Sequence, residues 1–366
     1  MIFDINKEDN NNNEKLKKYI FCSLKYTNPN IELEEKDITI KERKEDLVHG
    51  LLIRLGTKSK IFRIITLERE NGKVFARDYI LKIYGKNGED MTNSEALEHY
   101  AIERAVLSVN SKLEKKIYPE LLSFSDKDYF LLMRYSLDKN LEKMLDEGAN
   151  VVKTISDSLN PVCLHHDCLI NYKEDIEKEI KEIRNCSDKK IDGLQVLDEE
   201  YFSKNIKKYQ EILNGFLEKG IKDKISEKIP ELCENLTKKE DYTSIRKDGY
   251  PWQNKVDNLV DAGSVCIGSR ALDLGCLIGY PTIFNKLNDG QFDLIIGDYC
   301  SKVKALNNNY NPDKHEFKRK IYSGAIFGNL REAAGLVYYK ELGDAGRLSE
   351  NLSTIKNQIE LLNNAT

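Results

Sequence analysis

The stretch Arg246-Lys247-Asp248-Gly249-Tyr250-Pro251-Trp252-Gln253-Asn254, followed by Leu259-Val260-Asp261-Ala262-Gly263 and by Arg270-Ala271-Leu272-Asp273-Leu274-Gly275, decides the reading of this chain. It sets Asp248, Asn254 and Asp261 within fourteen residues on turn-rich backbone, then adds Asp273 inside an apolar run. Gly249, Pro251 and Gly263 are turn residues that can present these side chains from loops. Two carboxylates and a carboxamide are the inventory that phosphoryl transfer needs. One carboxylate orients an attacking hydroxyl and accepts its proton; the other, with an amide oxygen, holds a divalent cation against phosphates. Asp and Asn are also common in turns, so the same letters fit two surface turns beside a strand. The rest of the chain has to decide.

A length of 366 residues accommodates two or three domains, or two lobes. Hydrophobic residues make up 40% and charged residues 32%, yet the net charge is only −4, which argues against nucleic-acid binding through bulk positive charge. Eight cysteines are scattered without a CxxC, and Cys266 and Cys276 sit in apolar surroundings as small core residues. No signal-peptide pattern and no membrane-length apolar run is visible. These features point to a soluble chain in a reducing cytoplasm, with no membrane partner.

Residues 1–29 read as a polar extension, frayed through the run Asn10 to Asn13, with Lys15 to Leu24 as a short helix or strand. Leu51 to Leu55 and Ile61 to Ile65 read as strands around the polar turn Gly56-Thr57-Lys58-Ser59-Lys60. Such a turn can lie over phosphates or be an ordinary hairpin. Asn71-Gly72 closes the next hairpin, and Arg77 to Tyr84 forms a further strand in which Lys82 points to the face opposite Leu81 and Ile83. Thr92 to Ser108 is a helix capped by Thr92, Asn93 or Ser94 and carrying Glu95 and Glu103. Tyr118 to Phe124 and Tyr129 to Tyr135 are two more strands.

Helices dominate beyond Asn140. Cys163, His165, His166, Asp167 and Cys168 invite a zinc reading, but no second ligand pair with metal spacing follows, which favours a structural cluster. His165-His166-Asp167 also imitates a kinase catalytic loop, at the cost of a long insertion before the next suitable Asp. Residues 172–240 are Lys/Glu-rich with Ile176, Ile180 and Ile183, and Ile206, Ile212, Leu213 and Phe216, at helical spacing: two or three surface-facing helices. Further helices are expected over 292–303, 318–327, 330–339 and 348–362.

With Lys82, an acid on the following helix, the run Leu131-Leu132-Met133 and the Asp/Asn/Asp order, the chain resembles the kinase-like phosphotransferases, closest to the aminoglycoside phosphotransferase and choline kinase group. The resemblance covers roughly residues 50–345 in motif order. Its most specific part is the interval of twelve from Asp261 to Asp273. By that likeness Gly56, Thr57 and Ser59 belong to a phosphate-covering loop and Lys82 contacts the α- and β-phosphates. Glu103 is its helix partner, with Glu95 as runner-up, and Met133 leads to an adenine-holding hinge. Asp248 is the catalytic base, Asn254 and Asp261 are metal ligands, and Asp273 ties down the catalytic loop.

The sequence departs from that pattern where Arg246 replaces the usual His. Asp248 and Asn254 are six apart, so that Gln253 falls at the expected place, and Asn254 and Asp261 are only seven apart, so that the hairpin between them is short. A different threading gives the amide role to Gln253 or Asn258, admits Asp257 as a ligand, or makes Asp241 the base. Asp293, Asp298 and Tyr299 are candidate acceptor contacts; ordinary helix-surface positions are the alternative.

The resemblance implies a two-lobed α+β, protein-kinase-like fold: an antiparallel-sheet N-lobe with one helix over 30–135 and a mostly helical C-lobe over 136–366. It implies an ATP- (or GTP-) and magnesium-dependent phosphotransferase acting on the hydroxyl of a small molecule such as an amino sugar, amino alcohol, nucleoside or sugar. A catalytically inactive nucleotide-binding scaffold is the alternative. A protein kinase ranks below both, because no Ala-Pro-Glu segment follows Asp261.

Overall fold

The computed structural model of the chain describes residues 10–42, 59–84, 94–127, 129–134, 139–185, 193–307, 309–338 and 345–364. It divides into two compact units, Met1–Leu137 with Glu174–Gly193, and Asp138–Lys173 with Leu194–Thr366.

Unit 1 is built on β1 (Ile38–Glu42), β2 (Ser59–Glu70), β3 (Lys73–Tyr84), β4 (Leu121–Ser125) and β5 (Phe130–Arg134). They form one five-stranded sheet in the order β1-β2-β3-β5-β4, with every neighbouring pair antiparallel. Asn71 and Gly72 connect β2 to β3 with φ of 52° and 73°. Positive φ at both turn positions matches the right-handed twist of the strands, which is why Asn-Gly is favoured there.

The strand alternation read from the sequence separates two faces. Leu81 and Ile83 point into an apolar cluster with Ile38, Ile64, Phe130 and Leu132. Lys82 and Tyr84 point to the other face, towards α2 (Ser94–Asn110). The apolar face is covered by α1 (Asn10–Thr27), whose Leu16, Ile20 and Leu24 are buried in the same cluster. The polar-extension expectation therefore does not describe residues 10–27. Spacing of four residues puts these three on one helix face, which outweighs the Asn-rich start. Tyr19 strengthens the seat, with its ring 4.5 Å from that of Phe130 and its hydroxyl 2.9 Å from Ser123 Oγ.

Unit 2 begins with α3 (Leu141–Asp146) and α4 (Val151–Cys168), capped by the side chains of Asn140 and Asn150. The next helix, α5 (Lys173–Asn185), passes to unit 1, a crossing that the expected boundary at residue 135 did not include. There Glu179 pairs with Arg104 of α2, while Ile176, Ile180 and Ile183 are buried. Unit 2 then continues through α6 (Glu199–Ile212) and α7 (Lys219–Leu236) to an antiparallel hairpin of β6 (Tyr242–Arg246) and β7 (Val265–Ser269). It ends with α8 (Arg270–Ile278), α9 (Pro281–Phe284), α10 (Asp289–Leu306), α11 (Lys314–Tyr338) and α12 (Ala345–Asn364).

Helix α11 is continuous where two helices were expected, and its glycines explain why. A Cβ on Gly324 would stand 2.2 Å from the Ala271 carbonyl oxygen, and one on Gly275 2.4 Å from the Ala325 nitrogen. Helices α8 and α11 thus cross backbone to backbone, and the glycines serve this contact rather than a break. Among the described residues no helix is long and apolar enough to cross a membrane.

Candidate active site

In unit 1, Lys82 at the centre of β3 extends to Glu103 of α2, with Nζ 2.8 Å and 3.0 Å from the two carboxylate oxygens. Both side chains are nearly closed to solvent, at 8% and 2% exposure. The Tyr84 hydroxyl, two residues along the same face, also donates to Glu103. The acid is therefore fixed from two points on one strand. Glu103 is the partner that the resemblance implied; Glu95 stands in the first turn of α2. Ser59 is buried at the start of β2, opposite Tyr84. Met133 is buried on β5 opposite Ile80. Gly56 and Thr57 lie outside the described residues, as does the segment just after Arg134.

In unit 2 the hairpin β6–β7 ends in the loop that carries Asp248. Arg246 closes β6, and its buried guanidinium is spent on two acceptors: Nη2 lies 3.0 Å from Asp273 Oδ1 and 3.0 Å from Asn254 Oδ1. The Arg246 backbone amide also donates to Asp273 Oδ2, at 3.2 Å. His166 of α4 joins from the other side, with Nε2 3.2 Å from Asp273 Oδ2 and Nδ1 2.7 Å from the Tyr299 hydroxyl. Burial opposes charge on Asp273, but Arg246 and His166 outweigh it and hold the carboxyl well below its usual range. Gly249 packs flat on this carboxylate; a Cβ there would stand 1.8 Å from Asp273 Oδ1. Asp273 accepts from the backbone and the guanidinium of Arg246, the residue that closes β6.

Asn254 is fully buried, and its side chain serves the loop itself. Its amide nitrogen donates to the carbonyls of Gly249, at 3.1 Å, and Tyr250, at 2.6 Å, while its oxygen accepts from Arg246. That geometry does not fit the metal-ligand role expected for Asn254. Gln253 points the other way, with Nε2 3.3 Å from Asp261 Oδ2. A tight hairpin makes this possible: Val260 donates to the Gln253 carbonyl, Lys255 donates to that of Asn258, and the chain has reversed by Asp261. The one-residue shift seen in the sequence thus puts Gln253, not Asn254, beside the second Asp. Asp257 is exposed, and Asn258 sits in the hairpin turn. Asp241 precedes β6, at the end opposite Asp248, and is held by Lys320 at 2.7 Å and the Tyr310 hydroxyl at 2.7 Å. It is no candidate base.

Asp261 has φ 63° and ψ 72°, the left-handed region that few non-glycine residues adopt. Such backbone persists where surrounding structure enforces it and concentrates at functional sites. Asp261 is only partly buried, and the Gln253 side chain that donates to it through Nε2 has its Oε1 buried without a hydrogen-bond partner among the described residues. A carboxylate and an orphaned amide oxygen suit a hard divalent cation, which takes oxygen ligands. Asp248 is partly exposed and ion-paired, with Oδ1 2.5 Å from Arg331 Nη2 of α11.

A search of solved structures with the whole chain finds the same architecture elsewhere. A point mutant of aminoglycoside 2'-phosphotransferase-IIIa in its GDP complex matches with a TM-score of 0.50 and 11% identity, over 93% of this chain and 97% of its own. The fold is that of the kinase-like phosphotransferases. The wild-type GDP complex of the same phosphotransferase matches at 0.49 and 10%, over 94% and 98% of the two chains. The gentamicin–APH(2")-IIa complex matches at 0.49 and 13%, over 92% and 95%. No protein-family model matches the sequence, and no curated protein does.

Other candidates fall into structural places. His165, His166 and Asp167 lie within α4, and Asp167 makes a two-pronged pair with Arg270 at 2.8 Å and 2.8 Å. Among the described residues no group of three or more His, Cys, Asp or Glu could hold a metal, so the zinc reading has no site here. Tyr299 is buried against His166, Asp298 pairs with Lys302 and Asp293 with Lys318. Sequence reading missed Tyr84 and Arg331. Tyr84 shares a strand face with Lys82, a period-two signal that was available. Arg331 is far along the chain from Asp248 and carries no local signal.

Proposed function

We propose that this chain is a nucleotide- and magnesium-dependent phosphotransferase that transfers a γ-phosphoryl group to a hydroxyl of a small molecule. The observation that carries the reading is Asp261, held in left-handed backbone beside the Gln253 carboxamide, whose Nε2 donates to it and whose Oε1 has no hydrogen-bond partner among the described residues, on a chain with this fold. The phosphotransferase with a TM-score of 0.50 is named as a GDP complex, which makes GTP as well as ATP a nucleotide to test.

Each residue has a task that its surroundings support. Lys82, steadied by Glu103 and Tyr84, neutralises phosphate charge. Ser59 is assigned to the phosphates, together with Gly56 and Thr57, which lie outside the described residues, and Met133 leads towards the base. Asp261 and Gln253 would hold magnesium, which would supply neutralisation of phosphate charge. Asp248 orients the acceptor hydroxyl and takes its proton as the oxygen attacks phosphorus and the nucleoside diphosphate leaves. Asp273, Arg246, Asn254 and His166 keep the loop in place, so that positioning and electrostatics supply the rate.

The ion pair between Asp248 and Arg331 also favours a second reading, a nucleotide-binding protein without transfer, because it occupies the candidate base. The deciding experiment follows nucleoside diphosphate release from ATP and GTP against amino sugars, amino alcohols, nucleosides and sugars. Release on one acceptor class, lost in Asp248→Asn, supports transfer. Nucleotide binding without release on any acceptor supports the second reading.

A further inference from the structure

We infer that Arg331 is a positioning residue for Asp248, an arm of α11 that fixes the carboxylate for the acceptor hydroxyl. This rests on the phosphotransferase reading above. The guanidinium of Arg331 grips the loop twice: Nη2 lies 2.5 Å from Asp248 Oδ1, and Nη1 donates to the Lys247 carbonyl at 2.7 Å. A planar fork that binds a carboxylate and the adjoining backbone fixes both the side-chain rotamer and the peptide that carries it. The same helix holds the loop on the other side of Asp248, where the Tyr250 hydroxyl donates to the Gly328 carbonyl at 2.8 Å. Residues 247–250 are thus clamped by α11 at two points that flank the candidate base.

The reach of the arm follows from the helix crossing. Gly275 and Gly324 let α8 and α11 touch backbone to backbone, and a Cβ on Gly328 would stand 2.7 Å from Cys276 Sγ. Helix α8 carries Asp273, which grips Arg246 at the start of the same loop. The crossing therefore sets the height of both supports together. Burial works against charge on Arg331, but neighbouring Asp248 outweighs it and keeps the guanidinium protonated. In phosphoryl transfer with a loose transition state the base serves chiefly to orient the nucleophile. A carboxylate held by a charged fork suits that task, since a small misplacement of a reacting group is costly.

The test compares wild type, Arg331→Met and Arg331→Lys by steady-state kinetics on the acceptor found above, with calorimetric titration of the magnesium nucleotide. Arg331→Met is expected to lower kcat about 10- to 100-fold, with nucleotide affinity and nucleotide KM unchanged. Arg331→Lys, which keeps the charge and loses the fork, is expected to recover part of the loss. If Arg331→Met does not fold, the Lys variant decides alone: reduced kcat at unchanged nucleotide affinity supports positioning, and wild-type kcat overturns it. Unchanged or raised kcat in Arg331→Met overturns it. So does an equal loss of kcat and nucleotide affinity in both variants, which marks a merely structural role. Failure of the transfer reading shows instead in the wild type, as binding without diphosphate release on any acceptor, and overturns both.

Discussion

Lys82 and Asp261 anchor the two halves of the proposed chemistry, and they are built in opposite ways. Lys82 stands in the middle of a strand and is closed off by Glu103, itself buried, with Tyr84 as a second support. Its charge is balanced within unit 1. Asp261 stands on a turn in left-handed backbone, partly exposed, with a carboxamide at 3.3 Å and that amide's oxygen orphaned. The contrast is between a cation pre-aimed by a buried acid and a carboxylate on a partly exposed turn. Under the proposed function the first faces phosphate and the second faces metal.

The first way to break this contrast is to open the closed end. Lys82→Met leaves Glu103 buried beside an apolar chain. It is expected to cost about 3–5 kcal/mol of unfolding free energy, measured by urea denaturation. The double variant Lys82→Met/Glu103→Leu should regain much of that, because no charge is then left buried. Equal losses in the single and double variants would mean that the pair is not the source.

A second disturbance acts on the scaffold of the open end. Gly324→Ala would drive a methyl group into the Ala271 carbonyl, a backbone neighbour that cannot swing away. Overpacking of this kind is expected to cost about 1–3 kcal/mol in the same assay and to lower kcat through the loop that α11 supports.

Protonation gives a third. Burial lowers the folded-state pKa of His165 and, against the pull of Asp273, that of His166. The unfolded chain therefore binds more protons below its ordinary histidine value of about 6.5, and stability falls as pH drops through that value. A loss of about 1–3 kcal/mol is expected between pH 7.5 and 5.5. Asp273, with its lowered pKa, stabilises the fold above its unfolded value of about 3.9 and adds no slope in that window. In His166→Gln the slope should shrink.

The smallest change in stability separates Gln253 from its neighbour. Gln253→Ala removes an amide whose oxygen has no partner and is expected to change stability by about 0.5 kcal/mol or less while weakening magnesium-dependent nucleotide binding. Asn254→Ala strips the loop of three hydrogen bonds and should cost about 1–3 kcal/mol. The reverse ranking would restore Asn254 as the ligand.

Regular elements made the closed end legible. Alternation along β3 aimed Lys82, and the family resemblance singled out Glu103 where helical spacing left Glu95 and Glu103 both open. Asn71-Gly72 carried its own turn chemistry, and the interval from Asp261 to Asp273 survived because β7 and α8 span it without insertion. The open end was half legible. Which of two adjacent amides meets Asp261 depends on how a short hairpin reverses, and letters alone do not fix that. The role of Arg246 was hidden for a similar reason: an arginine in place of a histidine says nothing until Asp273 and Asn254 are seen at its two ends. Helix α1 was misjudged because Asn10 to Asn13 drew the eye from Leu16, Ile20 and Leu24, which carried a clear helical period. The placement of α5 with unit 1 rests on the contact of Glu179 with Arg104, seventy-five residues apart, beyond any local pattern.

The most direct test is calorimetric titration of ATP and GTP, with and without magnesium, into the wild type and Asp261→Ala. Magnesium-dependent binding in the wild type, lost in Asp261→Ala while its unfolding curve stays close to wild type, is the expected result. Nucleotide binding indifferent to both magnesium and Asp261, or no nucleotide binding at all, would contradict the assignment of the metal end to Asp261 and Gln253.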